Sequence, residues 1–450
     1  MPAPLGQPSG SSHGPEDPRS CEERLEDLHR IYEQVGNINR RRDDSAVRND
    51  LIRLLQERRA GRADLVQFDP VPDPQGDVVL IIRGELLIRA AALEEQRARR
   101  LTAAYGLEPQ PVECLDNRLV RLLAPGMRGS RLVELAGALR GRGVPVSVNY
   151  VTPMGIVMKG LGGPEPSAAA QRPSRPPAGP GEPVGVAVID TGIAEAVRAD
   201  GWLTGLVRPD NVDPLDELPP PSDGFLDFGA GHGTFVAGVI QQVAPGANIA
   251  VYKALDSDGV GDKVDIACTM VRAVREGAQI LTMSLGLEAL EDRPPVAYEI
   301  ALEIIDEIAA ETGREVLVVA AAGNFGRARP VFPAAFPDVV AVAGLTQGLA
   351  PAQWSSRGPW VDCSTLAEGV WSTYVPGTES PIIDPDPDEF PKDAWALWTG
   401  TSFAAPQVAG AVAKIAQESG LTPRRALEQL LAGSPEIPGY GRAVRILPRT

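Results

Sequence analysis

The sequence predicts an α/β protein: a parallel sheet flanked by helices over residues 183–450, preceded by a smaller α+β unit. Three observations point there. Continuous apolar runs such as VGVAVID (184–190) and VLVVAAAG (316–323) fit strands buried on both faces, as parallel sheets require. Apolar stripes at helical spacing follow, in FVAGVIQQV (235–243) and QVAGAVAKIAQ (407–417). The third observation is a break in composition. Residues 183–450 carry 18 Lys+Arg against 35 Asp+Glu, a net of −17, and all six tryptophans; residues 1–182 carry 25 against 24, a net of +1. The Pro/Ala/Gly-rich stretch between them lacks apolar periodicity, so residues 153–182 read as a semi-extended linker.

Composition narrows the class. With 43% apolar and 23% charged residues in 450, the chain can bury a core. Its net charge of −16 argues against nucleic acid as the main partner. No run approaches 18 apolar residues, so no membrane span is expected. Residues 1–20 form a polar, disordered-looking leader without a basic n-region or an apolar h-region, so a cytoplasmic location is expected. Cys21, Cys114, Cys268 and Cys363 are far apart, with no CxxC, and read as free thiols.

In the first part, residues 21–70 are helical: Leu25, Leu28, Ile31 and Val35, then Leu51, Leu54 and Leu55, recur at three- and four-residue spacings. A surface helical hairpin satisfies this pattern, and so does a partner-binding coiled coil. From Asp77 the order is a strand (DVVLIIRGELLIRA), a helix (91–105), one or two strands (VECLDNRLVRLLA), a helix (130–142) and a final strand (144–151). That order suits a ferredoxin-like α+β domain over 77–152. Its 11 Arg against 8 acids, net +3, invites docking onto the acidic large domain, although scattered arginines on a solvated face look the same.

Four residues of the second part carry potential chemistry. Asp190 ends the buried run 184–190, at the strand edge where α/β sheets build sites, or it caps a turn. His232, in GHGTFVAG, opens a buried helix between two glycines, or it is a core histidine. Ser402, in GTSFAAPQVAG, lies at a helix N-terminus, as a nucleophile beside the helix dipole or as an ordinary N-cap. Asn324, in AAAGNFG, is an amide donor at a strand end, or a turn residue.

Taken together, VAVIDTG, GHGTFVAG, LTMSLG, AAAGNFG and GTSFAAPQVAG, in that order, resemble the subtilisin-like serine peptidases. The resemblance covers about 183–450 and implies a subtilisin-like fold and a serine endopeptidase. It implies that Asp190 orients His232, that His232 takes the proton of Ser402, and that Asn324 with the Ser402 N–H holds the oxyanion. Histidine suits the base because its ordinary pKa lies near neutrality. It also implies that Gly259, Gly261, Ser284, Leu285 and Gly286 flank an extended substrate peptide, with Phe325 as an apolar wall near the primary pocket. No cofactor is implied; family members often carry structural calcium, but no ligand set maps onto this sequence. The 77–152 domain resembles the family's inhibitory prodomain, which makes the chain's own N-terminal domain a partner. The alternative is a self-inhibited scaffold or binding module on a peptidase fold. Three features depart from the family: residues 1–75 match nothing in it, Gln407 replaces the usual histidine, and the loop holding Glu379, Asp384, Asp386, Asp388, Glu389 and Asp393 is long and acidic. A solvated loop, a cation site or a preference for basic substrates each fits that loop.

Overall fold

The computed structural model describes residues 20–73, 76–153, 167–169, 177–207, 211–382 and 387–448. The leader, most of the linker, and Asp384 and Asp386 lie outside them.

The large part is built on an eight-stranded sheet. Its order is Asn248–Lys253, Gly185–Asp190, Ile280–Met283, Leu317–Ala321, Val339–Leu345, Cys363–Leu366, Gly441–Ala443, Glu436–Ile437, parallel throughout except for the last pair. Side chains alternate across it. Val186 and Val188 enter the core shared with helices His232–Val243 and Ala405–Ser419, whereas Ala187 and Ile189 enter the core shared with Lys263–Arg275 and Val296–Thr312. Both faces are thus covered, which is why these strands read as unbroken apolar runs. Gly185–Asp190 is the first of these strands in the chain and sits between its two successors. The connections therefore leave its carboxyl end on opposite sides, opening a crevice there.

The N-terminal domain is an antiparallel sheet ordered Ser147–Pro153, Val78–Arg89, Leu119–Leu123, Glu108–Pro111, with Phe68–Pro72 added beside the first half of the long strand. The register on the Ser147–Pro153 side shifts between Ile81 and Leu86, around Gly84 at φ +80°. Helix Gly129–Arg140 supports the sheet. The expected helix over 91–105 is two helices, Ala90–Glu94 and Gln96–Ala104, because Glu95 is extended. Helices Lys263–Arg275 and Val296–Thr312 of the large part pack against this domain and share one apolar core with it. Strand Val260–Asp262 of the large part extends its sheet, pairing antiparallel with Ser147–Pro153.

Helices Cys21–Asp43 and Ser45–Arg58 form a hairpin, but not a free-standing one. Ser20 and Glu23 close a capping box at its start, and Asp44 caps the second helix. Leu25 and Leu28 are exposed, whereas Ile31 and Ile38 are buried, Ile38 within the core of the large part. Leu51, Ile52 and Leu55 pack on Leu80, Ile82 and Val151 of the small domain and on Phe228 and Val260 of the large one.

Two expectations are corrected. Cys114 and Cys268 form a disulfide between the small domain and helix Lys263–Arg275, with Cα atoms 5.3 Å apart; Cys21 and Cys363 are free. Residues 154 apart in sequence give no local sign of pairing, and free thiols no longer support a cytoplasmic location. The acidic loop is not simply solvated: Glu379 is buried and Glu379 Oε2 accepts from the Asp388 backbone N–H at 3.1 Å. No cluster of three or more His, Cys, Asp or Glu able to hold a metal occurs among the described residues. Nor, among them, is any helix long and apolar enough to cross a membrane.

Candidate active site

Asp190 ends strand Gly185–Asp190 and is fully buried. His232 is the first residue of its helix. A Cβ on Gly233 would fall 2.1 Å from the Gly192 carbonyl oxygen, so only glycine lets this helix start against the turn after Asp190. That contact brings the two functional groups together: His232 Nδ1 donates to Asp190 Oδ1 at 2.7 Å. The same oxygen accepts from Thr191 N–H at 2.8 Å. Because the carboxylate accepts the Nδ1 proton, the other ring nitrogen is the basic one. Trp398 and Phe403 stand 5.2 and 5.3 Å from the imidazole, centroid to centroid, and shield the buried pair from water.

Ser402 does not open the helix itself. It lies in the 3-10 turn Thr401–Phe403 just before helix Ala405–Ser419, where Pro406 fits the first turn. Its Oγ donates to the Ser284 carbonyl at 3.2 Å, and Ser284 Oγ donates to the Ser402 carbonyl at 2.7 Å. Phe403, next in the chain, touches the His232 ring, so the serine turn lies beside the Asp–His pair; among the described residues, the hydroxyl bonds Ser284 and not the imidazole. Asn324 Oδ1 accepts from Thr401 N–H at 3.0 Å and from Thr401 Oγ1 at 2.9 Å. Committing the oxygen leaves Nδ2 as the donating end of the amide.

Sequence reasoning missed the supports of this site. Thr401 ties Asn324 to the serine turn, and its place within GTS was the available signal. Asp213 had none. It accepts from Thr191 Oγ1 at 3.0 Å and Gly231 N–H at 2.8 Å, bracing the loop that carries His232. Burial pushes its carboxyl up to about 6. Gln407, in place of the expected histidine, is buried and donates to the Leu366 and Phe403 carbonyls at 2.8 and 2.7 Å.

Among the expected substrate residues, Ser284 bonds the Ser402 turn directly. Gly259 precedes the edge strand Val260–Asp262 and Gly261 lies within it; a Cβ on Gly261 would meet Leu255 at 2.4 Å. Ser284, Leu285 and Gly286 follow strand Ile280–Met283, with Leu285 buried and Gly286 against Val331. Phe325 is half-buried and lines a groove with Asn324 and Leu287, closed on the far side by Val79, Tyr150 and Val151 of the small domain. The edge is already paired, Val260 with Pro153, Gly261 with Thr152 and Asp262 with Val151.

Charges surround that pairing. Asn149 Nδ2 donates to Glu85 Oε1 at 2.5 Å and to Asp262 Oδ1 at 2.7 Å, and Arg121 pairs with both acids at 2.9 and 2.8 Å. Next to Gly259, Arg59 from the hairpin is buried and reaches both oxygens of Asp258 at 2.7 Å and Asp256 at 2.7 Å. Arg58 reaches buried Asp227 at 3.0 Å, and burial pushes that carboxyl up to about 6.

Known proteins share this architecture. The sequence model of the subtilase family matches residues 181–435. The chain is 32% identical over 249 residues to subtilisin BL of Lederbergia lenta, covering 53% of this chain and 78% of that one. It is 31% identical over 272 residues to a thermophilic serine proteinase of Bacillus sp. strain AK1, covering 57% of this chain; it spans 59% of that relative's length. Fervidolysin from Fervidobacterium pennivorans, a keratinolytic enzyme related to subtilisin, aligns with a TM-score of 0.55 at 20% identity, over 81% of this chain and 60% of its own, a likeness of fold. The α/β sheet expected from the apolar runs is the one these proteins share. The chain belongs to the subtilase family of serine peptidases.

Proposed function

We propose that the protein is a serine endopeptidase that hydrolyses peptide bonds through Asp190, His232 and Ser402, and that its N-terminal region holds it latent. The observation that carries the catalytic part is the 2.7 Å Asp190–His232 bond beside the Ser402 turn. Asp190 fixes the ring and supports the imidazolium that forms. Rotating the Ser402 hydroxyl from the Ser284 carbonyl to the free imidazole nitrogen makes it a nucleophile towards a peptide carbonyl. The Ser402 N–H and Asn324 Nδ2 then stabilise the oxyanion, His232 protonates the leaving amine, and water completes the cycle. None of these steps calls for a cofactor or metal.

Latency rests on the occupied edge strand: a substrate adding itself beside Val260–Asp262 must displace Ser147–Pro153. The same occupancy favours the second reading, a permanently closed scaffold. Peptide hydrolysis separates them. The intact chain is expected to be quiet and the chain with its linker cut and its N-terminal domain removed active; absence of hydrolysis from the opened chain rejects the peptidase reading.

A further inference from the structure

We propose that the Cys114–Cys268 bridge makes the N-terminal domain a covalently retained subunit, so that cutting the linker does not free the substrate edge until a dithiol reductant opens the bridge. The inference deepens the latency reading above and rests on it. Cys114 belongs to the 3-10 turn Glu113–Leu115 of the small domain, and Cys268 to helix Lys263–Arg275 of the peptidase part. The linker lies between them in the chain, so a linker cut separates the two cysteines in sequence while the bridge still joins the pieces. Cys21 and Cys363 are unpaired and offer no substitute.

The bridge is placed to matter. Around it, besides the apolar core that the two domains share, the contacts are ion pairs among exposed side chains: Arg275–Asp116 at 2.8 Å, Arg118–Glu307 at 2.5 Å and Arg89–Glu303 at 2.8 Å. Pairs of this kind are weak and salt-screened. An intact linker of this length holds the inhibitor at an effective concentration of about millimolar, and cutting it removes that advantage. The disulfide restores it, so dilution cannot part the halves. The bridge is also reachable, because Cys114 is exposed and Cys268 half-buried. In the release step a reductant thiolate attacks Cys114 Sγ and forms a mixed disulfide, and Cys268 leaves as a thiolate that takes up a proton. The second reductant thiol then displaces Cys114, which leaves as a thiol. Two electrons and two protons pass to the protein, and the reductant departs as its own disulfide.

The test uses the full chain with a site-specific protease sequence placed in the linker. In the Ser402→Ala background, the cut protein is immobilised through its C-terminus and washed in denaturing guanidinium chloride. The N-terminal fragment is expected to stay until dithiothreitol is added; loss without reductant overturns the bridge. In the catalytically intact background, the cut protein is diluted to nanomolar concentration. Dithiothreitol should raise peptide hydrolysis roughly 10²-fold or more, and Cys114→Ser should be equally active without it. Equal rates for oxidised, reduced and Cys114→Ser proteins, all low, overturn the claim that the bridge controls release. Full activity with the fragment still attached overturns that claim through the inhibitor reading, and leaves the bridge itself standing.

Discussion

Ser402 and Ser284 hold each other through bonds in opposite directions, so the backbone at Ser402 is fixed while its hydroxyl turns about one bond. Removing that hydroxyl should lower turnover by roughly 10⁴–10⁶-fold, a magnitude carried over from subtilisin. Asn324→Ala should cost roughly 10²–10³-fold in turnover with little change in KM, because its amide acts on a charge that exists only after attack. Steady-state kinetics on the opened enzyme checks both; a KM effect without a kcat effect would remove Asn324 from the oxyanion site. Asp213 gives a prediction of a different kind. Its native pKa of about 6 lies above the ordinary carboxylate value, so its ionisation opposes folding. The stability it allows is full below pH of about 4 and is lost as pH rises through about 6, amounting to about 2–3 kcal/mol. In a Ser402→Ala background, Asp213→Asn should flatten the fall in unfolding free energy between those pH values. Parallel profiles for the two proteins would reject this.

Among the elements, the hairpin departs furthest from its sequence reading. Its arginines sit on helical text that looks solvated, yet Arg59 is buried on Asp258 and Asp256 beside strand Val260–Asp262. Arg59→Ala leaves Asp258 buried without its countercharge, a loss of about 3–5 kcal/mol of the kind that follows breaking a buried pair. Denaturant unfolding of the full chain should show it, and adding Asp258→Ala should recover part of the loss. If the double variant is less stable by the sum of the two single losses, the pair is not coupled. Other elements were legible for a local reason. The blocks around Asp190, His232, Asn324 and Ser402 are short strings whose glycines are dictated by close contacts, as Gly233 is by Gly192. Strand Phe68–Pro72 was illegible because prolines 70 and 72 break a strand pattern and are tolerated only at an edge.

Across the whole molecule, the features missed in the sequence include those made by distance along the chain. The paired cysteines, the Arg59 site and the pairing of Ser147–Pro153 with Val260–Asp262 all join residues more than a hundred apart, and no window of sequence contains both partners. All three bind the N-terminal region to the peptidase part. The hairpin, the small domain and the bridge thus enclose the Val260–Asp262 edge of the crevice, while the Asp190–His232 pair is already assembled. The account therefore turns on one claim, that Ser402 is a competent nucleophile whose access is controlled by the chain's own N-terminal region. Labelling with a fluorophosphonate, with the adduct located by mass spectrometry, tests it most directly. The account predicts slow or no labelling of the intact chain, rapid labelling on Ser402 once the linker is cut and the bridge reduced, and none in Ser402→Ala. An adduct formed equally fast in the intact and opened chains, or one that persists in Ser402→Ala, would contradict it.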